Sequence, residues 1–418
     1  MDFLDALAAW MTTQRWYAGK GHQSRLRILA AQPGLAGSTR YLVMDDAGTL
    51  PTLYHVPLVA ASSADTADVV DPTDGRALVD AARVPEFAVA TLEQMGVDVR
   101  RVTGARVLTG EQSNTSIVFE EEGEPTIILK LFRTLHHGEN PDVTVQRALS
   151  AAGSPYIPRF SGSQDASWPD VGRESGTAHG TLGFAQEFLP GAQDGWTTAL
   201  EAAREGRDFT DAARDLAIAV AGVHGALSVT LETTEAGPDV VATIGSAWRR
   251  RLRIAASEVP ALADRVEAVD EVYRAALEDP WPQLQRIHGD LHLGQVLAVP
   301  GRGWRLVDFE GEPLRPMTER ATPDLPLRDV AGMLRSFDYA GAVGGGPDGG
   351  AWAAACQETF IDAYATAAGS ADLDGTLLRA LVLDKAVYES IYEARNRPDW
   401  LPVPLAGIDA ALTFRNAD

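Results

Sequence analysis

Alternating and continuous runs of apolar residues dominate the first third of the chain and predict strands. YLVMDD (residues 41–46) and TLYHVPLVA (residues 52–60) are typical of neighbouring strands in a meander. Residues 70–95 change to a pattern that predicts a helix. Residues 101–133 again predict strands, three in succession, with EEGE forming the second turn.

From residue 140 onward the apolar spacing mainly favours helices. NPDVTVQRALSAA (residues 140–152) predicts a helix with Pro141 in its first turn, where the missing N–H costs little. TLGFAQEFLP (residues 181–190) predicts one further strand. After residue 195 helical spacing prevails. GAVGGGPDGG (residues 341–350) predicts a flexible loop within that region, and LLRALVLDKAVYESIYEAR (residues 377–395) predicts the last long helix.

These elements predict an α+β fold in three parts. The parts are an N-terminal module (residues 1–95), a small β-rich lobe (residues 96–190) and a large α-helical lobe (residues 191–418). A chain of 418 residues with 45% hydrophobic residues is long and apolar enough to form such domains.

Charge and cysteine content narrow the classes of function. The net charge of −22 disfavours binding to nucleic acid or to anionic membranes. The chain starts without a basic segment, and no apolar run is expected to approach the length of a membrane span. A single cysteine, Cys356, excludes a disulfide framework within one chain. Together these features predict a cytoplasmic protein.

The stretch HGDLHLGQV (residues 288–296) carries the strongest chemical signal. Asp290 is followed by Gln295, and Asp308 comes after a short predicted hairpin. This order is typical of phosphoryl transfer, in which the first carboxylate accepts the proton of the attacking hydroxyl. Gln295 and Asp308 would hold Mg²⁺, which prefers hard oxygen ligands. The sequence therefore predicts Asp290 as the general base of a phosphotransferase.

The matching nucleotide residues come earlier in the chain. The loop between the first two strands of the small lobe contains turn-forming residues that can donate to phosphate, namely Gly110, Ser113, Asn114 and Thr115. Lys130 lies in the third strand, where a lysine would reach the phosphates of ATP. The hinge beside adenine is predicted at Gln186, Glu187 and Phe188, with Glu187 offering a carbonyl oxygen. Each of these signals is weak evidence alone, and the prediction of a nucleotide site rests on their order along the chain.

Two histidines flank Asp290 in this stretch. His288 is expected to support the loop by hydrogen bonding. His292 is expected either to contact the substrate or to cap the turn. Neither comes with the other ligands that a zinc site needs.

The sequence resembles the aminoglycoside-phosphotransferase-like kinases, and more narrowly the actinobacterial maltokinases and glucosamine kinases. The matching strings include QRWYAGK, GEQSNTSIVF, LKLFR, IHGDLHLGQVL, DFEGEP and DKAVYESIYEARNRPDWLP, and they cover essentially the whole chain. The resemblance implies a bilobal protein-kinase-like fold preceded by an N-terminal cap module. It also implies ATP and Mg²⁺, with sugar contacts from the catalytic loop and the late YEAR helix. QRWYAGK is expected to brace the cap module against the small lobe, with a contact to the nucleotide site as the alternative.

One face of the late helix suits a sugar. At 100° per residue, five residues fall within an arc of about 140°, namely Tyr388, Glu389, Tyr392, Glu393 and Asn396. Asp399 and Trp400 follow directly. Aromatic rings stack on the CH faces of sugars, and carboxylates accept hydrogen bonds from hydroxyls. The alternative is an amphipathic helix that buries its tyrosines and solvates its acids.

Two features of the sequence leave alternatives open. Relatives carry a glutamate where this chain has Thr144, so either Glu139 or Asp142 takes its place as the partner of Lys130, or Lys130 is held differently. This departure also keeps open a degraded kinase that binds nucleotide or sugar without catalysis. An added carboxylate would favour the ammonium of glucosamine by a charge-assisted hydrogen bond, and Asp399, Glu393 and Asp290 are the candidates. Glucosamine is therefore the preferred acceptor, with a maltokinase forming maltose 1-phosphate as the alternative.

Overall fold

The computed structural model describes residues 2–20, 24–48, 51–61, 68–71, 74–108, 114–312, 315, 317–370 and 375–413. The chain divides into two compact units. Unit 1 comprises Met1–Thr144 and Pro158–Pro190, and unit 2 comprises Val145–Ile157 and Gly191–Asp418. Unit 1 therefore contains the predicted cap module and most of the predicted small lobe, whose residues Val145–Ile157 belong to unit 2. The boundary between those two parts at residue 95 stays a prediction.

Strands dominate unit 1. They are β1 (Leu26–Pro33), β2 (Thr39–Asp45), β3 (Thr52–Ala60), β4 (Val69–Val70), β5 (Ala77–Asp80), β6 (Val102–Val107), β7 (Asn114–Glu121), β8 (Glu124–Phe132), β9 (Thr134–Leu135), β10 (Phe160–Pro169) and β11 (Thr177–Glu187). Its helices are α1 (Phe3–Met11) and α2 (Pro85–Gln94), with 3₁₀ turns at Leu35–Gly37 and Ala81–Arg83. α3 (Pro141–Ala151) continues along the sequence into unit 2.

Two antiparallel sheets organise these strands. The first has the order β1-β2-β3-β5-β4, with β9 paired to β3. The second has the order β10-β11-β8-β7-β6 and contains the three successive strands predicted over residues 101–133. The helix predicted over residues 70–95 begins only at Pro85, so its first part was wrong. Residues 77–80 form β5 because Leu58 pairs with Asp80 across the sheet, and strand pairing overrides the local pattern.

A buried arginine fixes the cap module within unit 1. Arg133 has an exposure of 0%, and its Nη2 donates to Asp80 Oδ2 over 2.6 Å. Its Nε donates to Thr115 Oγ1 over 2.8 Å, and its guanidinium lies 5.0 Å from the ring centroid of Trp16. Tyr17 of the same QRWYAGK motif donates to Asp45 Oδ2 over 2.6 Å. The motif therefore braces the cap module, as predicted.

Helices dominate unit 2. They are α4 (Gly195–Glu205), α5 (Thr210–Thr230), α6 (Pro238–Glu258), α7 (Val266–Glu278), α8 (Met317–Arg320), α9 (Leu327–Gly344), α10 (Gly349–Ala368), α11 (Thr376–Asn396) and α12 (Pro402–Thr413). Its small antiparallel sheet consists of β12 (Gln193–Asp194), β13 (Val296–Val299) and β14 (Gly303–Leu306). Further 3₁₀ turns lie at Pro260–Arg265, Leu293–Gln295, Gly346–Asp348 and Pro398–Trp400.

α5 forms the centre of the hydrophobic core of unit 2. It is also, among the described residues, the one helix long and apolar enough to cross a membrane. The expectation that no apolar run approaches that length was therefore wrong. Leu216, Val220, Val223 and Leu227 of this helix are fully buried in the core. The apolar composition of α5 thus matches its packing position inside the unit.

The glycine-rich segment at residues 341–350 is a helix junction, so the prediction of a flexible loop was wrong. α9 continues to Gly344, and α10 begins at Gly349. A Cβ on Gly341 would lie 2.3 Å from the carbonyl oxygen of Gly349, and a Cβ on Gly349 would lie 2.1 Å from that of Gly341. The glycines allow the two helix backbones to approach closely.

Candidate active site

The loop that carries Asp290 is held by a buried carboxylate from α9. The backbone N–H groups of His288 and Gly289 donate to Asp329 Oδ2 and Oδ1, over 2.7 and 2.8 Å. Gly289 has a φ of 82°, a left-handed conformation that glycine adopts without strain. Asp329 is 1% exposed. These two bonds fix the backbone immediately before Asp290.

Asp329 is itself oriented by a buried polar chain. His224 Nε2 donates to Asp329 Oδ2 over 3.0 Å, and the Tyr364 hydroxyl donates to His224 Nδ1 over 2.7 Å. A Cβ on Gly332 would lie 2.5 Å from the carbonyl oxygen of Leu291, so α9 approaches the loop closely. The loop is therefore anchored to the core of unit 2 rather than to solvent.

A β-hairpin brings Gln295 and Asp308 together. Gln295 precedes β13 and Asp308 follows β14, and Val296 pairs with Leu306 between those strands. Residues that flank the open end of an antiparallel pair lie side by side. Gln295 Nε2 lies 3.2 Å from Asp308 Oδ2, and Asp308 has a φ of 69°. An amide oxygen and a carboxylate on adjacent side chains fit the ligand preference of Mg²⁺.

Both histidines of the loop have structural partners. His288 Nε2 donates to the carbonyl oxygen of Val307 over 2.9 Å, which confirms its supporting role. His292 Nδ1 accepts from the N–H of Gly294 over 3.0 Å and caps the following 3₁₀ turn. Burial lowers the pKa of His292, although the charge of Asp290 opposes that shift. A neutral imidazole is the form that accepts this capping bond.

Lys385 of α11 lies against the candidate base. Its Nζ lies 3.5 Å from Asp290 Oδ1 and 3.5 Å from Glu312 Oε1. Its Nζ also lies 5.3 Å from the ring centroid of Tyr388. Burial and the charges of Glu312 and Asp290 raise the pKa of Tyr388 to about 12. Tyr388 is therefore a neutral hydroxyl near the base at physiological pH.

Glu393, predicted to contact the sugar, is buried in an ion pair. It is 1% exposed and accepts from Arg397 Nη2 and Nε over 2.6 and 2.9 Å. The Tyr339 hydroxyl donates to Glu393 Oε1 over 3.0 Å. Its charge is therefore already balanced within the protein.

Of the other predicted sugar residues of this region, Tyr392, Asn396 and Asp399 are exposed, and Trp400 is partly buried, with the Arg397 guanidinium 4.7 Å from its ring centroid. The Tyr392 side chain is exposed, and Asn396 Nδ2 donates to its carbonyl oxygen over 2.8 Å. Trp400 stacks on Tyr339 at a centroid distance of 6.0 Å. Asp399 is exposed. The late helix thus presents rings and polar groups together, and their role in sugar binding stays a prediction.

In unit 1, Asp142 is the carboxylate that faces Lys130. Lys130 Nζ lies 3.2 Å from Asp142 Oδ2, and it lies 5.8 Å from the ring centroid of Phe184. Glu139, the other residue considered, accepts from Thr144 Oγ1 over 3.2 Å. The ion pair is therefore present in spite of Thr144, and it comes from the first turn of α3.

The predicted phosphate loop and hinge are only partly described. Gly110 and Ser113 lie outside the described residues, and β7 starts at Asn114. Thr115 is buried, and its hydroxyl oxygen accepts from Arg133.

At the hinge, Gln186 is buried at the end of β11, next to Glu187 and Phe188. The N–H of Glu187 donates to the carbonyl oxygen of Arg159 over 2.8 Å, and the N–H of Phe188 donates to the carbonyl oxygen of Thr126 over 2.9 Å. Adenine recognition at these three residues stays a prediction.

Sequence reasoning missed the residues that support the base. Lys385 could have been found, because it lies on the same helical face as Tyr388 and Tyr392. Asp329 lies in RDVAG (residues 328–332), a stretch for which the sequence pattern indicated no role. Arg397, the partner of Glu393, follows the helix within NRPDW. The contacts of Asp329 depend on tertiary packing that local spacing does not reveal. Arg397 lies four residues after Glu393, a helical spacing from which this ion pair could have been predicted.

Comparisons with known proteins agree with this arrangement. The sequence matches the phosphotransferase enzyme family over residues 104–375 and the maltokinase N-terminal cap domain over residues 10–83. It is 32% identical to a glucosamine kinase of Streptacidiphilus jiangxiensis over 342 residues, which cover 76% of this chain and 75% of that protein. It is 30% identical to a glucosamine kinase of Mycolicibacterium smegmatis, with 74% of this chain and 80% of that protein covered.

Solved structures extend the similarity to the whole fold. A glucosamine kinase in its crystal form B matches with a TM-score of 0.71 and 26% identity, covering 99% of this chain and 100% of that one. A glucosamine kinase in complex with glucosamine, ADP and inorganic phosphate matches with a TM-score of 0.69 and 26% identity, covering 96% and 98%. The predicted α+β kinase-like fold with an N-terminal cap is confirmed.

Proposed function

The chain belongs to the phosphotransferase enzyme family, and on that premise we propose that it transfers the terminal phosphoryl group of ATP to glucosamine, forming glucosamine 6-phosphate. The observation that carries the reaction type is the Asp290 loop, which Asp329 holds in the same unit as the Gln295–Asp308 pair. The acceptor is supported by the two curated relatives, both glucosamine kinases at 30% identity or more.

Asp290 is proposed as the general base. Its carboxylate accepts the proton of the acceptor hydroxyl while the oxygen of that hydroxyl bonds to the terminal phosphorus. The bond from that phosphorus to the bridging oxygen breaks, and ADP leaves. A positioned base of this kind contributes about 10²–10⁴-fold to a rate. The two backbone bonds to Asp329 supply the positioning, because they fix the peptide units next to the base.

Gln295 and Asp308 would hold Mg²⁺, which neutralises the charge of the phosphates when it is bound. Lys130 would bind phosphate oxygens in unit 1, with Asp142 orienting its ammonium. A local cation is needed because the chain carries a net charge of −22, which repels a nucleotide at long range. The intact Lys130–Asp142 pair also weakens the argument for a non-catalytic relative, since that argument rested on Thr144.

Asp399 is the better candidate for binding the ammonium of glucosamine. Of the carboxylates considered from sequence, Asp290 acts as the base and Glu393 is satisfied by Arg397 and Tyr339. Asp399 is exposed beside Trp400, where a carboxylate and a ring can contact one sugar. One charge-assisted hydrogen bond contributes about 1.5–3 kcal/mol, or about 10- to 100-fold in discrimination.

Maltose is the second candidate acceptor. The specific observation in its favour is the match of residues 10–83 to the maltokinase N-terminal cap domain. A cap domain in unit 1 does not itself select an acceptor that binds unit 2. We therefore rank maltose, with maltose 1-phosphate as its product, below glucosamine.

Mg²⁺-dependent release of ADP tests these proposals, with glucosamine, glucose, maltose and an aminoglycoside offered in parallel. We expect the highest kcat/KM with glucosamine and a single product that NMR assigns as the 6-phosphate. Asp290→Asn is the matched control, because it keeps the shape of the side chain and removes its basicity. A preference for maltose would move the enzyme to the second candidate. A preference for the aminoglycoside would assign an antibiotic-modifying activity instead.

A further inference from the structure

Lys385 occupies an unusual position beside the candidate base. It projects from α11 (Thr376–Asn396), and its ammonium lies 3.5 Å from Asp290 Oδ1 and 3.5 Å from Glu312 Oε1. Its side chain is 28% exposed. Among the described residues, Lys385 is the basic side chain that forms an ion pair with the Asp290 carboxylate. The ammonium is therefore shared between the base and a second carboxylate.

The composition of the chain sets this lysine apart. Only three lysines occur in 418 residues, at positions 20, 130 and 385, and arginine supplies the other basic side chains. A guanidinium is a planar fork suited to bidentate pairing with one carboxylate, whereas an ammonium is a compact charge with three donors. A compact charge is the group that fits between two carboxylates. A lysine at this position is therefore not explained by the general preference of the chain for arginine.

The ammonium remains charged in the pH range of catalysis. Burial acts to lower the pKa of Lys385, but the charges of Asp290, Glu312 and Glu389 outweigh burial and raise it. A permanent cation next to a carboxylate favours the ionised carboxylate. Ionised Asp290 is the form that can accept a proton. Because the ammonium contacts Oδ1, the second oxygen can face an acceptor.

We propose that Lys385 is a positioning residue for phosphoryl transfer, which holds Asp290 ionised and directs its second carboxylate oxygen to the acceptor hydroxyl. This role rests on the proposed function, because it needs Asp290 to act as the base. Lys385 itself takes no proton from the acceptor and forms no bond to phosphorus. The hydroxyl proton moves to Asp290, the sugar oxygen bonds to phosphorus, and ADP leaves with the electrons of the broken bond.

Other charged groups also act on this pair. Those that act electrostatically on Asp290 or Lys385 are His292, Glu312, Arg320, Tyr388 and Glu389. His292 caps its turn as a neutral ring, and Tyr388 keeps its proton to about pH 12. Burial raises the pKa of Glu389, although the charges of Arg335 and Lys385 oppose that shift. Lys385 is therefore the contact whose loss should change the pH range of activity most.

The pH dependence of kcat/KM tests this role in wild type, Lys385→Met and Lys385→Arg. Glucose serves as acceptor, because it has no amine that titrates in the assay. In Lys385→Met the ionised base loses a neighbouring positive charge. As the pH is lowered, activity should therefore be lost at a higher pH than in wild type. We expect the acid limb to move upward by about one pH unit, together with a lower kcat.

Lys385→Arg is the matched control because it keeps the positive charge. Its kcat should fall, since the fork does not fit between two carboxylates, but its acid limb should stay with that of wild type. A merely structural role would lower kcat in both variants and leave both acid limbs in place. That result, with thermal unfolding unchanged, would overturn the proposal.

A second measurement does not depend on turnover. Reductive methylation with ¹³C-formaldehyde labels the three lysines and the N-terminus, and Lys20→Arg and Lys385→Arg assign the signals. The titration midpoint of labelled Lys385 should be lower in Asp290→Asn than in wild type. Equal midpoints would refute the coupling. If no sugar supports ADP release by the wild type, the proposed function fails, and this titration still decides whether Lys385 senses Asp290.

Discussion

Two lysine–carboxylate pairs, one in each unit, differ in how deeply their charges are buried. In unit 1 the side chains of Lys130 and Asp142 are 12% and 0% exposed, with 3.2 Å between Nζ and Oδ2. In unit 2 those of Lys385 and Asp290 are 28% and 21% exposed, with 3.5 Å between Nζ and Oδ1. Breaking a buried pair is costly for the fold, whereas an accessible pair contributes little to stability. The buried Lys130–Asp142 pair is therefore suited to holding a side chain in a fixed position. The more accessible Lys385–Asp290 pair is suited to taking part in the reaction.

Asp290→Asn should have the largest effect and separates activity from stability. We expect kcat to fall by about 10³-fold or more, because the amide cannot accept the hydroxyl proton. The free energy of unfolding should change by less than about 1 kcal/mol, since the pair is partly exposed. ADP release, ATP binding and thermal unfolding measure the three properties. Turnover near the wild-type rate would remove Asp290 from the mechanism.

Asp142→Ala should show the opposite distribution of effects. Removing a fully buried carboxylate from its pair with Lys130 should lower the free energy of unfolding by about 3 kcal/mol. The KM for ATP should rise, because the ammonium of Lys130 loses the group that orients it. Denaturant unfolding and nucleotide titration measure both effects.

Glu139→Ala is the matched control for Asp142. Glu139 is an exposed acid close to Asp142 in the sequence, and its carboxylate accepts a hydrogen bond from Thr144 Oγ1. Its removal should leave stability and the KM for ATP near wild type. If both variants behaved alike, the buried pair of unit 1 would have no special role.

His55 tests burial in unit 1 with a group that has no carboxylate partner in its hydrogen bonds. It is 2% exposed, and its Nδ1 donates to the carbonyl oxygen of Phe132 over 3.2 Å. Burial, with the charges of Arg133 and Arg40, lowers its pKa to about 3. The unfolded chain takes up this proton near pH 6.5 and the folded one only near pH 3, so the stability is present above pH 6.5 and is lost as pH falls toward 3.

At pH 5 the loss from His55 should be about 2 kcal/mol relative to pH 7. His55→Asn keeps a donor for Phe132 and cannot titrate, so its unfolding free energy should depend less on pH by that amount. Denaturant unfolding of both proteins at pH 7 and pH 5 provides the comparison. Identical pH dependence would show that His55 does not stay neutral in the folded protein.

Asp399→Ala should have the smallest effect and concerns an exposed charge of unit 2. If Asp399 binds the ammonium of the acceptor, kcat/KM for glucosamine should fall about tenfold while that for glucose changes little. The ratio of the two values is the measurement, and Asp399→Asn is the isosteric control. An equal loss for both sugars would assign Asp399 to general packing beside Trp400.

The sequence predicted which candidate site residues lie close together better than it predicted the residues that hold them in place. Asp290, Gln295 and Asp308 are close in the chain, and the hairpin that joins the last two follows from local strand patterns. Lys130 was also predicted, but the choice between Glu139 and Asp142 required the orientation of α3. Spacing alone cannot tell which of two nearby acids turns toward a strand.

Packing between elements explains why the environments of some residues were not predicted from the sequence. Gly341 and Gly349 resemble loop residues in sequence, but they permit a close approach of two helices. Glu393 was predicted to contact the sugar, which stays a prediction, and its carboxylate accepts hydrogen bonds from Arg397 and Tyr339. The contact of Tyr339 with Glu393 joins residues 54 positions apart and leaves no periodic signal along the chain. The Glu393–Arg397 pair has the i,i+4 spacing of a helix and could have been predicted.

The buried Arg133 limits how this protein can be shortened or recombined. Its counter-charge, Asp80, comes from the cap module, and the ring of Trp16 covers its guanidinium. A fragment that starts near residue 96 would keep a cation in its interior without that carboxylate, at a cost of several kcal/mol. The phosphotransferase portion is therefore not expected to fold without the cap module in this chain. A truncated version would need an apolar replacement at position 133 before it could be expected to fold.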